Sequence, residues 1–540
     1  MATEEFPWIL RQPVFYKGEN IARGLNKIQV NPLRVGSIGY EPVKRGLFDR
    51  KGLYFVLLKD EQDVGIGHLF AKVNYSRRGS ENGQPSTRED SLSSQFRHLD
   101  FLNSLRLPVV EVVGYHSEIK GTDEDYSVLL MKKFQSPTMD RDIIALDKLR
   151  AEQVSIIGNL CNSSEERDKA TAVVKELSGL RKDLILSALS AVNHVSIYGT
   201  FYSADRGDLA YEPADNYFIN KLGRRLRLFL LHTLVKTGVI DREDIDKPSK
   251  IVDAKFDKLK EFTKPFGLVE RLMRDERTMA YTHGDEYPHH FYLETNGGIH
   301  GHEIDLLGTK AKLFDFSFCV LNSLIRSKIA LLGSPILGLS FGDAQRLFLE
   351  SQKEALEIAK ELKGDGKLDR LMSGFKDEKF SLKMFSLLYL YEQFIHLGLI
   401  AYDSLHNPYF RRESNLDTKY EPSIPALQKY IREREEMGGI LNVSLERYNP
   451  DNTSKIIRAN LEECLLIQGQ EFSGEEGELF VAVRKCIDYL DRPTYVDYQS
   501  DPPPHIHNHT DTPQLDHEGN RPLGFSPVAD TQELPRVESK

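Results

Sequence analysis

The stretch "YTHGDEYPHHFYLETNGGIHGHEID", residues 281–305, sets a Gly-Asp turn among histidines, acids and a proline, then closes on a second aspartate. A lone His-Gly-Asp triplet is ordinarily a turn with a capping aspartate. Phosphoryl transfer, however, needs little more than charges that position a nucleotide and its metal, plus one carboxylate to orient the attacking hydroxyl. The chain around the stretch decides between the two readings. Immediately downstream, "HHFYLET", "GIHGHEID" and "AKLFDFSF" read as strand pieces, the first two joined by the Asn-Gly-Gly turn at 296–298, so residues 281–318 form a small β insert among helices. His300 and His302 alternate along "IHGHEID", which puts both on one solvated side of a strand rather than in a metal cluster.

Upstream, short apolar runs broken by Gly and polar turns ("KIQVNPLRVGSIGYE", "GLYFVLLKD", "GHLFAKVNY") predict three antiparallel strands, with a glycine turn at Gly36 and Gly39 and a lysine, Lys72, in the third. The loop "NYSRRGSENGQPSTRED" follows. Next comes a helix in "SLSSQFRHLDFLNSLRL", with Phe96, Leu99, Leu102 and Leu105 near helical spacing and Pro108 as its stop. "PVVEVVGYHS" and "DYSVLLMKKF" add two strands, giving three strands, a helix and two strands. Beyond Asp140 long amphipathic helices take over (147–158, 165–197, 216–238, 251–274), and after the insert helices resume to about residue 490. The tail after Tyr498 is proline-rich, poor in aliphatic residues, and expected to be disordered, its His505, His507 and His509 included.

The totals narrow the class. A chain of 540 residues is longer than one ordinary core. Its net charge of −10 excludes a general nucleic-acid binder; the basic run "KLGRRLRLFLL" at 221–231 reads as the wet face of a helix. Four scattered cysteines without a CxxC pair point to reduced thiols, and "MATEEFPWILRQPVFYKG" lacks a secretory pattern, so a cytoplasmic location is expected. The most apolar segment, "FSLKMFSLLYLYEQFIHLGLIAY" from Phe380, carries Lys383, Glu392, Gln393 and His396 and reads as a buried helix rather than a membrane span. Neither a GxSxG elbow nor a GxxxxGK[ST] loop is present.

Glycine turn, strand lysine, helix, extended hinge, "HGDEYP" and a later aspartate stand in the order found in protein-kinase-like folds. In detail the chain resembles the aminoglycoside phosphotransferase and choline kinase family. "THGDEYPHHFYLE" is similar to its catalytic loop, "HEIDLLGTKAKLFDFSF" to its metal-binding stretch, "EDYSVLLMKKFQSPTMDRD" to its hinge, and "SQFRHLDFLNSLRLPVVEV" to its first-lobe helix and following strand. The likeness spans roughly residues 30–330.

The resemblance implies an α+β bilobal fold. Residues 1–134 would be a small antiparallel β N-lobe that binds nucleotide, residues 135–498 a large, mainly helical C-lobe, and residues 499–540 a tail. It implies ATP with Mg2+ or Mn2+ as cofactors and a small-molecule hydroxyl as acceptor. Asp285 would be the catalytic carboxylate, with His283 packed beneath the loop. The 20 residues from Asp285 to Asp305 leave room for one hairpin to bring both acids to a single cleft, so Asp305 is the first choice for metal and Asp315, in "LFDFS", the second. Lys72 would neutralise the α and β phosphates under a loop containing Gly36 and Gly39, and backbone groups from Met131 to Phe134 would receive the adenine edge.

Two positions depart from the family pattern. His290 stands where a second metal ligand, Asn, is expected, and an imidazole suits Mg2+ poorly. Gln95 stands where a helix glutamate should pair with Lys72; Glu89, 17 residues after Lys72, is the other candidate. Both departures raise a pseudokinase, kept as a binding or scaffold module, as the alternative.

Overall fold

The computed structural model describes residues 8–45, 51–77, 91–120, 124–133, 138–203, 217–236, 238–241, 250–284, 286–294, 299–300, 303–304, 310–313, 320–362, 366–406, 450–468 and 472–491. The expected order of three strands, a helix and two strands is present as β1 (Ser37–Arg45), β2 (Lys51–Lys59), β3 (Gly65–Arg77), helix Ser91–Ser104, β4 (Val112–Lys120) and β5 (Glu124–Lys132). They form one antiparallel sheet of order β1-β2-β3-β5-β4. Two short helices precede it, α1 (Pro13–Tyr16) and α2 (Glu19–Lys27), so the helix after β3 is α3. Helices dominate the remainder, and the fold is α+β, with a small antiparallel part before a large helical one in the order of a protein-kinase-like fold.

Alternation along the strands assigns each face of the sheet to a different core. Leu69, Ala71 and Val73 of β3, with Tyr54, Val56 and Leu58 of β2, pack beneath Leu10, Phe15, Tyr16, Ile21 and Leu25 of the N-terminal segment. Phe70 of β3 and Leu129 and Met131 of β5 face the other way, into the core shared by α3 and the helical part. Lys72 lies two residues beyond Phe70 and so belongs to this second face.

Helix α3 ends at a left-handed residue. Arg106 has φ 56°, Leu107 N donates back to Leu102 O (3.1 Å) and Arg106 N to Asn103 O (2.9 Å), a C-terminal cap usually closed by glycine. Asn103 then staples the helix to β4, its amide donating to Val110 O (3.0 Å) while its oxygen accepts from Val112 N (2.8 Å).

The helical part is built on α5 (Ser164–Ser203), preceded by α4 (Met139–Gly158) and followed by α6 (Tyr217–Lys236), α7 (Lys250–Thr263) and α8 (Gly267–Met273). The β insert is more elaborate than the sequence predicted. Strand β6 (Met279–Thr282) and strand β11 (Val320–Ser323), both unforeseen, pair with each other. β7 (Phe291–Glu294) pairs with β10 (Lys310–Leu313). "GIHGHEID" is not one strand. Within it β8 (Ile299–His300) pairs antiparallel with β9 (Glu303–Ile304), His300 opposite Glu303, while His302 lies outside the described residues.

Beyond the insert run α9 (Leu324–Leu332), α10 (Phe341–Glu361), α11 (Gly366–Lys376), α12 (Glu378–His406), α13 (Pro450–Gln468) and α14 (Glu475–Asp491). The apolar segment from Phe380 is, as expected, a buried helix, α12, enclosed from Met384 to Leu397. Among the described residues α5 is the one helix long and apolar enough to cross a membrane, and 67% of that window is buried inside the fold. Residues 407–449, within the stretch where helices were expected to resume, and the tail lie outside the described residues.

Candidate active site

Strand β3 presents Lys72 between Leu53 of β2 and Leu129 of β5, two residue pairs from the end of β2 where the β1–β2 connection arrives. Its Nζ donates to Gln95 Oε1 at 3.0 Å, and Gln95 is buried on α3. The structure therefore brings Lys72 and Gln95 together. Glu89, the other helix candidate, lies outside the described residues.

The glycine turn is corrected. Gly36 precedes β1 and Gly39 lies within it opposite Leu57, which pairs with His68; Lys72 is four residues further along β3. Gly36 is accounted for by close packing, since a Cβ there would come within 2.7 Å of the Glu61 backbone in the β2–β3 turn. The residues that join β1 to β2, 46–50, lie outside the described residues. Met131 is buried near the end of β5, and Lys132 N donates to Glu111 O (2.9 Å) where the chain leaves the sheet; Phe134 is outside the described residues.

One helical turn beyond Gln95, buried His98 turns towards the insert, its Nδ1 2.7 Å from the hydroxyl of Tyr281 on β6. Tyr281 N in turn donates to Thr200 Oγ1 of α5 at 2.8 Å. Strand β6 leads directly into His283 and Gly284, and Gly284 has φ 86°, a turn conformation that favours glycine. His283 is 1% exposed, with its ring 5.4 Å from that of His290. Asp285, Asp305 and Asp315 lie outside the described residues.

Beneath the turn is a polar floor that sequence reasoning missed. Arg326 on α9 is fully buried and donates to the Gly284 carbonyl (3.0 Å) and to Glu392 of α12 (3.3 Å). Tyr287, just past the turn, donates to the same carboxylate at 2.6 Å, and His396 Nε2 lies 3.6 Å from it. Glu286 accepts from Gly284 N (3.1 Å); burial raises its pKa, and the positive charge of Arg326 opposes that rise. A buried guanidinium shared between a loop carbonyl and a carboxylate fixes the backbone on both sides of Asp285. The sequence signal was faint, a single glutamate in the apolar run of α12.

The donor chemistry for a metal is uneven. Two aspartates suit a hard divalent cation such as Mg2+, but His290 does not: its imidazole packs against His289 (4.1 Å) as well as His283. Among the described residues no three metal-binding side chains cluster.

No family model matches the sequence, and no curated protein matches it in sequence. Solved structures do match. An ethanolamine kinase from Plasmodium vivax superposes with TM-score 0.31 and 10% identity, covering 74% of this chain and 86% of that one. A spectinomycin phosphotransferase solved with ADP and spectinomycin gives 0.33 and 10%, covering 81% and 96%. A choline kinase from Streptococcus pneumoniae gives 0.28 and 13%, covering 77% and 97%. At such scores the fold assignment rests on the strand order and the placement of α3 rather than on the superpositions.

Proposed function

We propose that the chain is a cytoplasmic phosphotransferase that moves the γ-phosphate of ATP to a hydroxyl of a small molecule. The observation that carries this reading is the tie made by α3. Gln95 receives Lys72 and, one turn on, His98 meets Tyr281, so one helix fixes the strand lysine relative to the strand that enters His283-Gly284. Positioning of this kind is most of what phosphoryl transfer asks of a protein.

In this reading Asp285 orients the acceptor hydroxyl and takes its proton, while Lys72 lies against the α and β phosphates. Asp305 holds Mg2+ or Mn2+, with Asp315 as the second acid, and the backbone of residues 131–134 receives the adenine. ATP and its metal supply the transferable phosphoryl group and neutralise its charge.

A second reading, a pseudokinase acting as a binding or scaffold module, is favoured by one observation: the α3 side chain that meets Lys72 is a neutral amide. Two measurements separate them. An enzyme phosphorylates a component of a metabolite pool, and Asp285→Asn abolishes the label; label present with both proteins, or with neither, refutes the enzyme. Nucleotide binding raises the melting temperature with ATP and Mg2+ or Mn2+, and Lys72→Met removes the rise. An intact fold with no rise in either metal supports the scaffold.

A further inference from the structure

A crevice of about 1060 Å³ opens between the C-terminal end of α3, the turn into β4 and the middle of α5. Its lining includes neither Lys72, Gln95, Tyr281 nor His283, and it takes one wall from the sheet side of the molecule and one from the helical part. Leu107, Val109, Val112 and Ala191 give it an apolar floor, a usual setting for a small-molecule site when a few polar groups converge on it.

The charges on its rim are unequal in their pairing. Lys27 meets Asp100 at 3.6 Å, and Glu111 is covered by Lys132 at 3.2 Å. Arg106 is exposed, and its guanidinium has no hydrogen-bond or ion-pair partner among the described residues. It is also held at φ 56°, in a position where glycine would close the helix without strain. Such an outlier at a cavity is a pointer to function. Across the crevice, His194 places Nδ1 2.9 Å from the Ser190 carbonyl oxygen and stacks at 7° on Tyr198. Nδ1 donates to that carbonyl, which leaves Nε2 for a ligand oxygen.

We propose that this crevice is a second, regulatory site for a small hydroxyl-bearing anion, a carboxylate or a phosphate, gripped by Arg106 and oriented by His194. The guanidinium fork matches both anions, and occupancy would clamp α3, the helix that carries Gln95 and His98, against α5. The inference does not depend on catalysis.

Calorimetric titration of the full chain with malate and with glycerol 3-phosphate tests it and separates the two sources of charge. At least one anion binds, Arg106→Gly weakens it at least tenfold, and Lys72→Met leaves it unchanged. Glycine fits the left-handed position, so this variant keeps its fold, which far-UV circular dichroism checks; Arg106→Lys, with charge but no fork, falls between. Binding by neither anion, binding that survives Arg106→Gly, or binding that Lys72→Met removes each overturns the proposal.

Discussion

Replacing Arg326 by Met removes a cation that touches both the Gly284 carbonyl and the Glu392 carboxylate. At 3.3 Å, and with an effective interior dielectric near 20, the attraction in the ion pair amounts to about 5 kcal/mol, most of it set against the desolvation of two charges. Breaking such a pair from one side strands the other charge, so Arg326→Met and Glu392→Met should each destabilise by about 3–5 kcal/mol. Removing both leaves Tyr287 without its acceptor, the Gly284 carbonyl without its donor and Glu286 without its cation, but no half-broken Arg326–Glu392 pair, so the double variant should be less destabilised than the sum by about 2 kcal/mol or more.

A pH signature accompanies the single variant. Burial already raises the Glu286 pKa and Arg326 opposes it, so without Arg326 the folded state holds the proton more tightly than the unfolded chain does. Stability of Arg326→Met should then fall as pH rises from the ordinary carboxylate range, making the loss larger at pH 8 than at pH 5. Urea titrations followed by circular dichroism measure all of this. Additivity within about 0.5 kcal/mol would refute a coupled network.

Lys328, buried between Phe348 and Phe375, has its pKa pushed down by burial to about 7. Between pH 7 and the usual lysine range the unfolded chain binds a proton that the native state does not, so stability rises with pH across that window at up to about 1.4 kcal/mol per pH unit. Lys328→Met should stabilise the fold at pH 7 by a few kcal/mol and flatten that rise, as urea titrations at stepped pH will report; an unchanged slope contradicts it. Tyr281→Phe deprives buried His98 of its hydroxyl partner, which should reduce stability by about 1–3 kcal/mol and, under the proposed function, shrink the melting-temperature rise expected with ATP and metal. Arg106→Gly should raise the melting temperature, because releasing a left-handed side chain is worth about 1 kcal/mol; a fall would mean the helix cap is not strained.

The sheet was legible because strands and helices have different periods, and the shift from one to the other at "SLSSQFRHLD" places α3 between β3 and β4. The family resemblance put Gln95 where a partner of Lys72 should stand, and the two side chains do meet. Other features left no local trace. "MAYT" is four residues, buried at three, with no alternation to betray a strand. "GSIG" has the same spacing whether it bends between strands or lies within one, and only the register placed it away from Lys72. Arg326 and Glu392 are 66 residues apart, and in the sequence Glu392 reads simply as a charge unfit for a membrane. The sequence offers no pairing rule for a contact of that span.

The N-terminal segment deserves weight in any handling of the protein. Phe15, Tyr16, Ile21 and Leu25 roof the outer side of the sheet, over Val56, Leu58, Ala71 and Val128. A truncated chain starting at Ser37 would bare that greasy sheet face to water and to its own copies, so insoluble product would report a missing lid, not a failure of the rest of the fold.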